Sequence, residues 1–295
     1  MSKDATSTLL APGAELERLA DGAVWSEGPI WLPDIRRVRW SDIPNDRILE
    51  WDAASGEVTT FRQPAEYTNG RAVDLEDRVI QCSHGRRAIE REGADGPEVV
   101  VDRWSGGRFN SPNDLAVASD GAIWFTDPPY GIHPSGREGH PGTSDYDACF
   151  VFRWDPITGE AVPVVTTMVH PNGIGFSPDG SRLYVSDTGF YADRPDAQQI
   201  RVFAVAGETV VGDGEEFAKP PVGASDGFAI DREGRVWTSA GDGIYVYAPD
   251  GALLEHIPVP ETVSNCTFGG EDGQDLFLTA TTSLYRIRTT TTAAW

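Results

Sequence analysis

Short apolar runs alternate with turn-forming residues along the whole chain, and the runs come in pairs. Asn113 opens NDLAVASDGAIWFTD, Asn172 opens NGIGFSPDGSRLYVSD and Asp226 opens DGFAIDREGRVWTSA. Asn265 opens NCTFGGEDGQDLFLTA, Asn69 opens NGRAVDLEDRVIQC and Glu27 opens EGPIWLPDIRRVRWSD. Each copy reads as a polar residue, a short strand, a turn and a second strand. In four copies a glycine falls eight positions after the polar residue, at Gly121, Gly180, Gly234 and Gly273, and each follows an acidic residue. Asp-Gly or Glu-Gly between apolar runs predicts a tight hairpin, because glycine tolerates the positive φ that such turns require.

A second apolar pair follows each hairpin, as in RILEWDAASGEVTTF, CFVFRWDPITGEAVPVV and GIYVYAPDGALLEHIPV. That makes four antiparallel strands per unit. The six openings at 27, 69, 113, 172, 226 and 265 are separated by 42, 44, 59, 54 and 39 residues. A propeller blade is a four-stranded sheet of roughly 40–50 residues. The pattern therefore predicts an all-β fold, a six-bladed β-propeller. The two long intervals hold loops at 128–146 and 188–198, rich in Gly, Pro, Asp and Tyr, and loops of this length are often functional. The sixth unit lacks an outer strand, and AELERLA, at 14–20, can supply it and close the ring. Residues 1–13 read as an N-terminal tail, 14–288 as one propeller and 289–295 as a C-terminal tail.

Charge and cysteine usage narrow the function classes. The net charge of −22 is the opposite of a nucleic-acid footprint. The three cysteines, Cys82, Cys149 and Cys266, are odd in number and lack CxxC spacing, so neither a disulfide framework nor a cysteine zinc site is expected. Reduced thiols, the absence of an apolar signal core near the N-terminus and the absence of a long apolar run predict a cytoplasmic protein off the membrane. Oligomeric state is left open.

The six openings occupy one equivalent position, just before the strand that lines a propeller's axis. Glu27, Asn69, Asn113, Asn172, Asp226 and Asn265 are all carboxylates or amides. One such residue alone is explained as a polar start to a strand. Six in register predict a ring of oxygen donors with two formal negative charges, suited to a hard cation such as calcium. GASDG at 223–227 matches a nucleophile elbow, but that motif needs a following helix, and FAIDREGRVW reads as strand, turn, strand. His84 and His170 fall near the expected channel mouth, and none of the five histidines has zinc-protease spacing. Trp31, Trp40, Trp124 and Trp237 read as core between blades.

At these residues the chain resembles the gluconolactonase, regucalcin and luciferin-regenerating enzyme family. The resemblance runs from about Leu16 to Arg288 and is carried by SEGPIW, NSPNDLAVASDGAIWFTDPPYG, HPNGIGFSPDG, SDGFAID and SNCTFGGEDG. It implies a lactonase with one divalent cation in the channel, calcium first, with zinc, magnesium or manganese as alternatives. The family's metal ligands fall on Glu27, Asn113, Asn172 and Asp226, and its general base or nucleophile on Asp226. Asn69, His84, Tyr130 and Asn265 are the expected walls of the substrate pocket. A regucalcin arginine that contacts the sugar is replaced here by Ser111, and a histidine of the more distant diisopropyl fluorophosphatase falls in Thr279-Ala280-Thr281. A phosphotriester or fluorophosphate hydrolase and a non-enzymatic calcium-binding propeller are the rival readings.

Overall fold

The computed structural model describes residues 9–189 and 194–294. Six four-stranded antiparallel sheets form a ring. Their innermost strands are Ser26–Leu32, Thr68–Val73, Leu115–Val117, Pro171–Phe176, Phe228–Ile230 and Val263–Gly269, which define blades 1 to 6. Each inner strand touches its neighbour, and that of blade 6 touches that of blade 1. The fold is the six-bladed propeller that the repeat predicts.

The hairpin glycines behave as their spacing requires. Gly121, Gly180, Gly234 and Gly273 have φ of +83°, +70°, +78° and +76°. The side chains that alternate away from each turn fill the space between blades. Trp40, Trp124 and Trp237 are fully buried, and Trp124 and Trp237 meet Phe176 and Phe268 of the next blade edge-on. Trp31 is half-buried and stacks on Phe277 at 5.6 Å.

The ring closes as expected. Blade 6 consists of Val263–Gly269, Asp275–Ala280 and Leu284–Arg288, completed on the outside by Glu17–Ala20. Glu17 lies opposite Arg286 and accepts a hydrogen bond from its Nη2 at 2.6 Å. The flanking segments also lie on the ring. Leu10 bridges Thr289, and the Ala294 N–H donates to the Ile230 carbonyl at 3.0 Å. Residues 1–8 of the N-terminal tail expected at 1–13, some of the 188–198 loop and Trp295 lie outside the described residues. Among the described residues no helix is long and apolar enough to cross a membrane.

Two devices turn the inner strands toward the axis. In blades 1, 2, 4 and 6 the pairing register shifts between Glu27 and Ile30, Thr68 and Arg71, Pro171 and Ile174, and Val263 and Asn265. Such bulges re-aim side chains. In blades 1, 2, 4 and 5 glycine follows the opening polar residue, because a neighbouring blade leaves no room for a Cβ. A Cβ on Gly28 would sit 2.2 Å from the Asn69 carbonyl oxygen, and one on Gly227 would sit 2.0 Å from the Asn265 amide carbon. The contact is bonded as well as close. Gly70 N–H donates to the Asn113 carbonyl at 2.9 Å, Gly173 to that of Asp226 at 3.0 Å and Gly227 to that of Ser264 at 2.7 Å.

Removing residues 1–22 strips the outer strand from Leu284–Arg288 and uncovers blade 6. We expect the melting temperature to fall by more than about 5 °C, measured by calorimetry. An unchanged melting temperature would show that this strand does not close the ring.

Candidate active site

The inner strands surround a cavity of about 440 Å³ at one end of the axis. Glu27, Asn69, Asn113, Asn172 and Asp226 line it, so five of the six repeat positions converge there. Tyr130 joins them from the 128–146 loop. The sixth position, Asn265, does not line the cavity. Its Oδ1 accepts the Cys266 N–H at 2.8 Å, and its Nδ2 reaches Glu27 and Asp114 carboxylate oxygens at 3.4 Å each. It supports the floor from beneath, facing a smaller axial space shared with Arg71 and Asp114.

The floor is electrostatically loaded. Burial above all, then the Asp226 charge, holds the Glu27 carboxyl well above the usual carboxylate range, against the Gly28 N–H that donates to it at 2.7 Å. Burial, then the charges of Glu138 and Asp114, raises Asp226 to about 7, opposed by hydrogen bonds from Asn172 and Glu27. Burial likewise raises Asp114 to about 7, and it lowers the Arg71 guanidinium to about 9. Two carboxyl groups in hydrogen-bonding contact away from water need a proton or a cation between them. Asn172 donates from Nδ2 to Thr188 Oγ1 at 3.3 Å. The side-chain amides of Asn69 and Asn113 are almost fully buried, and among the described residues they have no protein hydrogen-bond partner.

This donor set fits a hard cation. It offers carboxylate and amide oxygens and neither sulfur nor imidazole, and such oxygen sets suit calcium or magnesium better than zinc. Among the described residues no cluster of three or more His, Cys, Asp or Glu groups has metal-holding geometry, so the amides are indispensable to any such site.

His84 does not line the cavity either. It is buried, and burial lowers its imidazole to about 4, so it is neutral at ordinary pH. Its Nδ1–H donates to the Glu138 carbonyl at 2.9 Å and so pins the loop above the site. Ser111 works the same loop from within. Its Oγ donates to the Pro128 carbonyl at 2.6 Å and accepts the Gly131 N–H at 2.9 Å. The serine therefore holds the turn Tyr130–Ile132 and does not line the cavity. The Tyr130 hydroxyl bonds Thr188 Oγ1. Thr279 is buried within blade 6, bonded to Ser264 Oγ at 2.9 Å. Ser225 of the elbow-like motif is buried against Thr238 Oγ1 at 2.6 Å and leads into a strand, so it offers no exposed nucleophile.

The remaining walls escaped sequence reading. Trp25, Ala224 and Val263 form an apolar side, while Arg137, Glu138 and Gln198 form a polar one. Trp25 had one signal, its place directly before Ser26-Glu27. Arg137, Glu138 and Gln198 had only the length of their loops, 128–146 and 188–198, to mark them, because they lie outside the repeat.

The profile of the SMP-30/gluconolactonase/LRE-like region matches residues 25–282. A gluconolactonase of Zymomonas mobilis is 33% identical over 96% of this chain and 83% of its own length. A pentonolactonase of Haloferax volcanii is 30% identical over 86% of this chain and 80% of its own. The solved structure of a Xanthomonas campestris gluconolactonase is 42% identical, covers 98% of this chain and 93% of that one, and superposes with a TM-score of 0.89. The chain belongs to the SMP-30/gluconolactonase/LRE-like family.

Proposed function

We propose that this protein hydrolyses a small sugar lactone in the axial cavity, with one divalent cation, calcium before magnesium, manganese or zinc, held by Glu27, Asn113, Asn172 and Asp226. The observation that carries the reading is the meeting of two buried carboxyl groups with amides at the floor of a cavity of about 440 Å³. Full-length similarity to lactonases supports it. The cation, when bound, would act as a Lewis acid on the lactone carbonyl oxygen.

The chain's own groups do the rest. Asp226 takes the proton of the attacking water, or attacks the carbonyl directly. Asn69 and Tyr130 orient the substrate, each from the cavity wall. The apolar side at Trp25 and Val263 receives the CH face of the ring and keeps water from it. Asn265 and His84 act through others, the first on Glu27 and the second on the loop backbone. The three cysteines are unpaired, which supports a reducing compartment such as the cytoplasm. No observation favours a phosphotriester substrate or a purely binding role.

Hydrolysis of aldonolactones with and without a chelator tests the mechanism, and undiminished activity after complete metal removal would overturn it. Glu27→Gln removes one of two carboxylates from the donor set. Calcium affinity should fall at least about tenfold by calorimetric titration while the fold persists, since ligand charge tunes calcium binding. Asp226→Asn should leave turnover about 10²–10⁴-fold low even at saturating calcium, the usual size of a general-base contribution. Recovery of near-full turnover would reduce Asp226 to a ligand. The Asp226 proton, held to about 7, must leave before a cation binds. The rise in melting temperature that calcium produces should therefore shrink as pH falls through about 7 and be largest above it.

A further inference from the structure

Among the described residues, Arg137 is the single cationic side chain lining the cavity. This is notable in a chain of net charge −22, whose arginines are mostly paired with carboxylates or carbonyls. The Arg137 guanidinium forms no hydrogen bond or ion pair among the described residues. The main chain that carries it is held in place beside it. The next residue's carbonyl accepts from His84 Nδ1 at 2.9 Å. One residue further, Gly139 is pressed so closely on the loop that a Cβ there would sit 2.2 Å from the Gly131 carbonyl oxygen. An exposed arginine at a cavity mouth, near the Glu138 charge but with no hydrogen-bonded partner, is a site for a carboxylate, phosphate or sulfonate, which its planar fork recognises by paired hydrogen bonds.

We infer that Arg137 selects lactones that carry a second anionic group at the end remote from the reacting carbonyl. The inference rests on the lactonase reading and extends it to a substrate class. The carbonyl must reach Glu27 and Asp226 on the floor, so the far end of a sugar lactone faces the polar wall. Glu138 contributes a carboxyl to that same wall. Arg137 therefore sets the local balance. With it the wall is near neutral and offers donors; without it the wall is negative and repels an anion.

The test uses the calcium-loaded protein and stable hydrolysis products. Binding of 6-phosphogluconate, of glucarate and of gluconate is measured by calorimetry, and kcat/KM is measured for 6-phosphogluconolactone and gluconolactone. The carboxylate formed from the reacting carbonyl is common to all three acids and cancels. The wild type should bind at least one of the two doubly anionic acids about tenfold or more tightly over gluconate, and which one identifies phosphate or carboxylate as the favoured group. That ratio should collapse toward one in Arg137→Gln, survive partially in Arg137→Lys and weaken with added salt. Equal binding of all three acids by the wild type, or an unchanged ratio in Arg137→Gln, would overturn the inference, whatever the lactonase activity. A preserved, Arg137-dependent ratio in a protein that opens no lactone would keep the anion subsite and overturn the lactonase reading instead.

Discussion

The structure depends on how closely its inner strands approach one another at the axis. Where each strand begins, the next blade's main chain arrives within hydrogen-bonding distance, and at Gly28 and Gly227 no Cβ fits. This crowding does two things at once. It lets amide donors of one blade bond carbonyls of the next, as from Gly70 to Asn113 and from Gly173 to Asp226. It also directs the residue before each glycine into the cavity, helped in blades 1, 2 and 4 by a bulge at the same place. Four such residues, Glu27, Asn69, Asn172 and Asp226, share one small space with Asn113, and burial there raises the proton affinities of the two carboxyls.

Much of this was legible because a repeat records position. The spacing of Glu27, Asn69, Asn113, Asn172, Asp226 and Asn265 marks equivalent points on six blades, and equivalent points on a ring face a common axis. The shortened last unit likewise exposes the need for the N-terminal strand. A repeat does not record orientation within a bulge. Asn265 shares the register of the others, yet its amide turns to bond Cys266, Glu27 and Asp114, so it lies under the floor. His84 sits at the right height, but its ring points into the loop.

What the repeat cannot carry is whatever occurs once. Arg137 and Glu138 belong to a segment without a counterpart in other blades, and their place at the cavity follows from how that one long loop folds over the ring. That loop is fixed by contacts distant in sequence, including Ser111 to Pro128 and His84 to Glu138. Residue types alone do not reveal such pairings. On the reading proposed above, the reacting groups lie in the repeated floor and the groups that tell substrates apart lie in the unrepeated rim.

The seam in blade 6 joins Glu17–Ala20 to Leu284–Arg288 across almost the whole chain. An open array of repeats has terminal units with one free face, which can fray without disturbing the middle. A closed ring has no terminal unit. Every blade is flanked on both sides, and the one place where strands from opposite ends of the chain close the ring, inside blade 6, is held by only four residues of strand. Mechanical and kinetic resistance of the whole molecule then reside in a short edge far in space from the floor of the cavity. Losing it would leave blade 6 three-stranded and untie it from blade 1, whose inner strand follows Glu17–Ala20 in the chain.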